Sequence, residues 1–443
     1  MSRRIARTIA LLAALFGVLW GAFEWQALQV PGGAAPPSPE SVRSAPLETS
    51  PLERVLAQAE QHDPAAFEGA RALLAAGVLP EERADLLVAA ARGALAGGRH
   101  EDGEAAATEA LGILADPGYM PAFSGSPPRL RQEALLLQFR ARMALGRADA
   151  DAPLEALAQE FDLAIRTAAR EALLHLTAAR LGAAAAIDAH AEALLADERA
   201  ARGRPHGQTL AFLALLDAAA GRNPAPRAEE ARVALGWDKA APPRGLAPTG
   251  LEGLSPAARF ERLRPMAEAA AANGDRARAA RLMLATAEAL LDLGDRRGAF
   301  EGLGRAIMLA EDGAADAVLA AAVTPYLLLG GDEVDAVALL TAAQRAAGRA
   351  YGPASPERGA LLLALAEAAA REGLAAIEGQ ALQSLALLSA LSPEGPDVEA
   401  AAAAYARLAG ARIREGRRAE AEAAARAARA LIQGAAPTAP RTE

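Results

Sequence analysis

Five histidines, fifty-five acidic residues and no cysteine bound the chemistry open to this 443-residue chain. The histidines, His62, His100, His175, His190 and His206, are scattered. Glu171 and His175 stand one helical turn apart, a spacing that can present two ligands to a metal. The same spacing is that of a solvated helix pair, which is the reading taken here. His100-Glu101-Asp102 falls where a helix opens, and acidic residues favour the positive end of the helix dipole without any metal. There is no GxxxxGK[ST] phosphate loop, GxSxG nucleophile elbow, HExxH zinc helix or calcium-binding loop. The absence of cysteine removes disulfides, thiolate metal sites, a thiol nucleophile and N-terminal lipid attachment. No catalytic, cofactor or metal residue is assigned. The expectation is a non-enzyme without a cofactor, whose binding residues the sequence leaves open.

Composition says what must carry any site. Hydrophobic residues make up 52% of the chain but aromatics only 4%, so the apolar content is mainly Ala and Leu. Ala loses no side-chain entropy in a helix and lets backbones approach closely. The β-branched and aromatic residues that strands prefer are scarce. An all-α fold follows. Lys239 is the only lysine, and Ala, Gly, Pro and Arg share GC-rich codons, so the arginine preference carries no message about phosphate binding. The net charge is −9; Arg3, Arg4 and Arg7 against Glu24 give the first thirty residues +2, and the remainder −11. An acidic body of this kind repels nucleic acid and anionic lipid, so no nucleic-acid partner is expected.

The N-terminus pairs a basic MSRRIAR with an uncharged run from Thr8 to Phe23. A signal peptide cut after Ala22 or Ala27 would place Trp20 or Trp25 where a small residue is needed. An uncleaved anchor reaches spanning length if the run to Val30 contributes, with Trp20 and Trp25 in the interfacial belt. Residues 1–30 are therefore read as a signal-anchor transmembrane helix, with cleavage near residue 27 as the competing reading. The three arginines stay cytoplasmic, which sends the bulk of the chain across the membrane, in a Gram-negative bacterial cell into the periplasm. Residues 31–50, rich in Pro, Gly and Ser, form a linker.

From Pro51 onward, apolar-periodic segments alternate with short Gly, Asp and Pro breaks, the pattern of helical hairpins. Helices are expected over 51–61, 64–76, 80–96, 99–115, 128–145, 153–181, 183–202, 206–220 and 226–236. A second set falls at 256–273, 275–293, 295–311, 314–330, 332–349, 355–372, 374–391, 395–415 and 417–433. The expected organisation is an N-terminal helical-repeat region over 51–236, a Pro/Gly-rich connector over 237–255, a C-terminal array over 256–433 and a disordered tail over 434–443.

Aligning the turn glycines exposes the repeat. Ala299, Leu303 and Ala306 follow Gly294; Ala336, Leu340 and Ala343 follow Gly331; Ala421, Ala425 and Ala428 follow Gly416. Offsets of five, nine and twelve share one helix face. Seven residues before successive glycines stand Ala287, Thr324, Ala366 and Ala409, small enough for two helices to cross closely. Asp295 and Asp332 are natural caps. Ala350–Glu372 and Leu391–Ile432 each place a loop ahead of a helix that ends in a glycine turn; Tyr405, Leu408, Ala409, Gly416, Ala421 and Ala428 are the best single set. This pattern resembles the tetratricopeptide repeat (TPR), in its longer kinesin-light-chain-like form, in a single-span membrane-anchored bacterial protein. The glycines at 294, 331, 373 and 416 are spaced more widely than the usual 34-residue unit. Glu378 breaks the small-residue pattern after Gly373, and Pro325 should kink or split its helix. The N-terminal half carries only Gly98, Gly103, Ala107 and Ala110. An Ala-rich bundle with chance periodicity is the plainer reading; the fold class is the same.

The resemblance implies an α-solenoid whose first helices line a groove for a protein or peptide, placing Arg281, Leu284 and Glu288 there. It implies a membrane-tethered scaffold in envelope assembly, secretion or quality control. The alternative is a cleaved secreted protein that binds a small ligand or acts enzymatically at the junction of two helical halves, near Trp237. Homo-oligomerisation through Ala-rich faces is a third reading. A lytic-transglycosylase-like arrangement would need a catalytic module, and the repeat spacing runs on to Ile432.

Overall fold

The computed structural model describes residues 50–124, 126–237, 251, 253–310, 315–330 and 335–435. The expected transmembrane helix at 1–30, the linker up to Thr49, most of the connector, Gly331, Asp332 and the tail from 436 lie outside the described residues. Among the described residues the regular structure is helical throughout, and no helix is long and apolar enough to cross a membrane.

The chain forms two compact units that divide between Leu173 and Leu174, inside a helix. The first unit opens with α1 (Pro51–Glu60) and α2 (Ala65–Ala76). Ser50 starts α1 through a reciprocal capping box: its Oγ accepts from Glu53 N at 3.1 Å, and the Glu53 carboxylate accepts from Ser50 N at 2.9 Å. A 3-10 turn (Pro80–Glu82) leads into α3 (Arg83–Ala96) and α4 (His100–Leu114). Gly98 takes φ +73°, and Gly103, Ala107 and Ala110 are buried, so this hairpin keeps the glycine-offset pattern. Then come α5 (Pro127–Ala144), α6 (Ala152–Leu157) and α7 (Leu163–Leu181). The single helix expected over 153–181 is interrupted at 158–162, where Asp162 accepts from Ala164 N at 2.8 Å and restarts the helix.

The second unit holds α8 (Ala183–Ala186), a π-turn (Ile187–Ala191), α9 (Glu192–Arg202), α10 (Gly207–Ala219) and α11 (Ala225–Leu235). The array follows: α12 (Pro256–Ala272), α13 (Arg276–Asp292), α14 (Arg296–Ala310), α15 (Asp316–Gly330), α16 (Ala336–Ala350), α17 (Pro356–Arg371), α18 (Ala375–Ala390), α19 (Val398–Arg414) and α20 (Arg418–Ala435). Each helix packs on the next, and α13 also meets α15, as α15 meets α17. That is the connectivity of stacked antiparallel hairpins.

The repeat pattern is complete after Gly294. Gly294, Gly373 and Gly416 have φ of +80°, +72° and +77°, the left-handed turn that ends a helix. Ala299, Leu303 and Ala306 are fully buried, and a Cβ at Gly302 would come within 3.1 Å of Ala287 Cβ, so α13 and α14 cross at close range. Asp295 caps α14 by accepting from Gly298 N at 2.9 Å; α16 is capped by Asp335, which accepts from Ala338 N at 2.9 Å. Replacing Asp295 by Ala should lower stability by about 1 kcal/mol, read as a shifted denaturant midpoint at unchanged slope.

Two expectations need correcting. Thr324 is exposed, so it does not act as the small crossing residue of its repeat, and Pro325 lies inside α15 without splitting it. The packing also does not divide at 237–255. Helix α10, GQTLAFLALLDAA, is buried from Gly207 to Asp217 except at Thr209, and it packs against α11, α18, α19 and α20. A helix without a polar face must be enclosed on all sides. Arg232 of α11 donates through Nη2 to the Leu391 and Ser392 carbonyls at 3.2 and 3.1 Å, satisfying acceptors at the end of α18. Residues 183–235 are thus part of the core they were expected to precede.

Candidate interaction face

The first helices of successive hairpins, α13, α15, α17 and α19, leave one stripe each in solvent. On α13 this is Arg281, Glu288 and Asp292, at helical spacing. Leu284 is the exception among the three expected groove residues. It is only 3% exposed, because α13 is covered on both flanks by α12 and α14. Glu288 lies at the surface but recessed among its neighbours. Lost hydration pushes its carboxyl up, Asp292 adds repulsion, and Arg259 opposes both. Arg259 itself pairs with Asp292 at 2.6 Å.

Along α15, α17 and α19 the stripe turns apolar. Thr324 and Leu328 occupy it on α15, Ala360, Leu363 and Glu367 on α17, and Ala403, Ala406 and Ile413 on α19. Leu328, Leu363 and Ile413 are 76%, 39% and 63% exposed. Arg407 and Glu367 face each other at 3.9 Å from adjacent first helices, which shows that the α17 and α19 stripes are neighbours. The result is a face of small residues with a few projecting apolar side chains and separated charges. Small residues leave room for a second backbone; the projecting ones supply contact area.

The irregular Glu378 has a structural answer. It is 4% exposed and pairs with Arg414. Beside it, Arg412 binds Glu415 at 2.7 Å and Glu420 at 3.2 Å, and Arg417 shares both carboxylates. Gly379 leaves the space for the Arg412 guanidinium, 3.1 Å from where a Cβ would stand. A buried ion network replaces the small-residue crossing of this repeat. Buried charges need such satisfied partners, so the cluster is structural.

The remaining sequence candidates do not assemble into a reactive site. His175 is buried, its ring stacked on Phe212 with centroids 4.3 Å apart, and Phe212 meets Tyr405 edge-on at 6.1 Å. Burial, with the Arg426 charge second, lowers the His175 pKa to about 3, so it is neutral and enclosed. His190 lies 2.9 Å from Thr177. Among the described residues no group of three or more His, Asp or Glu side chains could hold a metal. Trp237 carries the Arg358 guanidinium over its ring at 5.5 Å, and Arg358 donates to the Pro353 carbonyl at 2.7 Å. Burial lowers the Arg358 pKa.

No protein-family model matches the chain, and no curated protein sequence matches it. Among solved structures it is similar to one of Naa15/Naa10 bound to HypK-THB, at 15% identity and a TM-score of 0.27, covering 86% of this chain and 63% of that one. The chain thus spans less than two thirds of that protein's length. It is also similar to the TPR domain of P58(IPK), at 16% identity and a TM-score of 0.19, covering 80% of this chain and 96% of that one. The helical-hairpin architecture rests on the helices described above.

Proposed function

We propose that this chain is a membrane-tethered, non-enzymatic scaffold that binds protein or peptide partners on the solvent face of α13, α15, α17 and α19. The observation that carries the reading is the exposed stripe on each of α15, α17 and α19, from which Leu328, Leu363 and Ile413 project beside small residues. On the last hairpins the other side is unavailable, because α10 fills it. Helical arrays with such faces bind extended or helical segments. The tether is the uncharged run Thr8–Phe23 behind Arg3, Arg4 and Arg7, which favours a single-pass bacterial inner-membrane protein with its bulk in the periplasm. Envelope assembly, secretion or quality control are the settings that suit it. The competing small-ligand reading would use Trp237, whose ring is covered by Arg358.

Replacing Leu328 and Leu363 together by Glu should reduce recovery of a stoichiometric partner from native membranes at least tenfold. The melting temperature should stay within a few degrees, since both side chains already face water. Undiminished recovery with a folded variant would rule this face out. Reconstitution of a defined enzymatic turnover by the purified protein would overturn the non-enzymatic reading.

A further inference from the structure

The first unit carries an apolar rim whose backbone is fixed by more bonds than an exposed connection needs. The loop after α4 runs Asp116-Pro-Gly-Tyr-Met-Pro-Ala-Phe-Ser124 and wraps around the 3-10 turn before α3. Tyr119 Oη donates to the Glu81 carbonyl at 2.9 Å and accepts from Ala84 N at 3.1 Å. Ala122 N donates to the same carbonyl at 2.9 Å. The Asp85 carboxylate, buried on α3, accepts from Phe123 N at 3.3 Å and Ser124 N at 3.2 Å. Opposite them, Leu79 N is held by the Glu82 carboxylate at 3.2 Å. This framework holds Met120 and Phe123 in solvent at 61% and 47% exposure, and Leu79, which opens the turn that the loop wraps, is 62% exposed. A buried carboxylate spent on pinning a loop makes sense if the loop's orientation matters, because burial costs hydration that its two bonds only partly offset.

We propose that the rim of Leu79, Met120 and Phe123 inserts into the interface of a neutral lipid bilayer and lays the first unit on the membrane. The inference rests on the tethered reading above. Its occupant is chosen by where the chain leads. Residues 31–49 join the expected anchor to Ser50, and at full extension they reach no further than about 65 Å. A tether of that reach makes the second, weaker membrane contact an intramolecular event. The side-chain types fit: Leu, Met and Phe are apolar, and none carries a charge into the interface. The surrounding charges, Glu81, Glu82 and Asp116, with Arg83 already paired to Glu109 at 2.7 Å, select neutral over anionic headgroups.

The absence of cysteine allows a direct test on the full chain in phosphatidylcholine proteoliposomes. Met120→Cys, Phe123→Cys and, as a control, Arg297→Cys on exposed α14 would each carry one nitroxide label. Positions 120 and 123 should be more accessible to oxygen than to a water-soluble nickel reagent, with the order inverted at 297. Replacing a third of the lipid by phosphatidylglycerol should weaken the difference. Labels at 120 and 123 as wet as the label at 297, on protein that resists alkaline extraction, would overturn the insertion and leave the tether intact. Extraction by alkali would remove the tether, and the insertion with it. Spin–spin broadening at 120 or 123 in lipid-free detergent would show the rim pairing two copies and overturn the lipid assignment.

Discussion

Replacing Leu213 by Asp is expected to unfold α8–α11 and the last hairpins of the array together. Leu210, Leu213, Leu215 and Leu216 of α10 are all within 1% of complete burial, enclosed by α11, α18, α19 and α20. Truncating one such leucine to Ala costs about 2–5 kcal/mol. An unpaired carboxylate in its place adds a desolvation penalty of several kcal/mol, and the sum is comparable to the whole stability of a typical domain. Leu213→Ala should leave a folded protein with a lower melting temperature. In both variants, hydrogen exchange should accelerate in α18–α20 as well as in α10. Loss of protection confined to residues 183–235, with the array unaffected, would show that the chain divides at 237–255 after all.

Acid should destabilise the second unit through its buried histidines. His175 has a folded-state pKa near 3 against an ordinary 6.5, and burial lowers His206 to about 4, helped by Arg202 and Arg204. Below pH 6.5 the unfolded chain takes up protons that the folded chain refuses. The stability these groups contribute is therefore complete above pH 6.5 and lost as the pH falls toward 3–4. At the low end His175 alone accounts for about 5 kcal/mol. Glu198 and Asp217 act in the opposite sense: burial raises both, so protonating either one favours the folded form and offsets part of the histidine loss. The histidines set the downward slope below pH 6.5, and the raised carboxylates lessen it. Denaturant titrations at pH 7.5, 6 and 5 should show it, and His175→Phe, which keeps the stack on Phe212, should roughly halve it. A stability flat across that range would mean that the His175 ring is not enclosed as described.

Helices and their turns were legible because local chemistry sets them. Gly294 and Gly416 mark left-handed turns, Asp295 a cap, and Ala299, Leu303 and Ala306 a buried face. What escaped depends on partners distant in the chain. Nothing local says that α10 inserts against α18 and α20, although its lack of a polar face was a visible sign of full enclosure. The break at 158–162 had a local signal in Asp162, masked by continuous apolar periodicity on either side. Leu284 was placed in the groove by analogy of helix position, whereas two covering neighbours decide its burial. Glu378 marked an irregular repeat, but the arginine that answers it lies a full repeat later, at Arg414. The candidate face was legible only as a class of surface: Arg281 and Glu288 are exposed on α13, but the repeat pattern does not single out the projecting Leu328, Leu363 and Ile413.

The central claim, a partner bound on the face of alternate first helices, is tested most directly by photo-crosslinking in native membranes. A photoreactive residue would be placed singly at 328, 363, 403 and 413, and at 297 and 308 on α14 as controls. The expected result is one adduct of constant mass from all four face positions and none from the controls. Adducts of equal yield from both sets, or none from the face while the protein remains folded and membrane-bound, would contradict it.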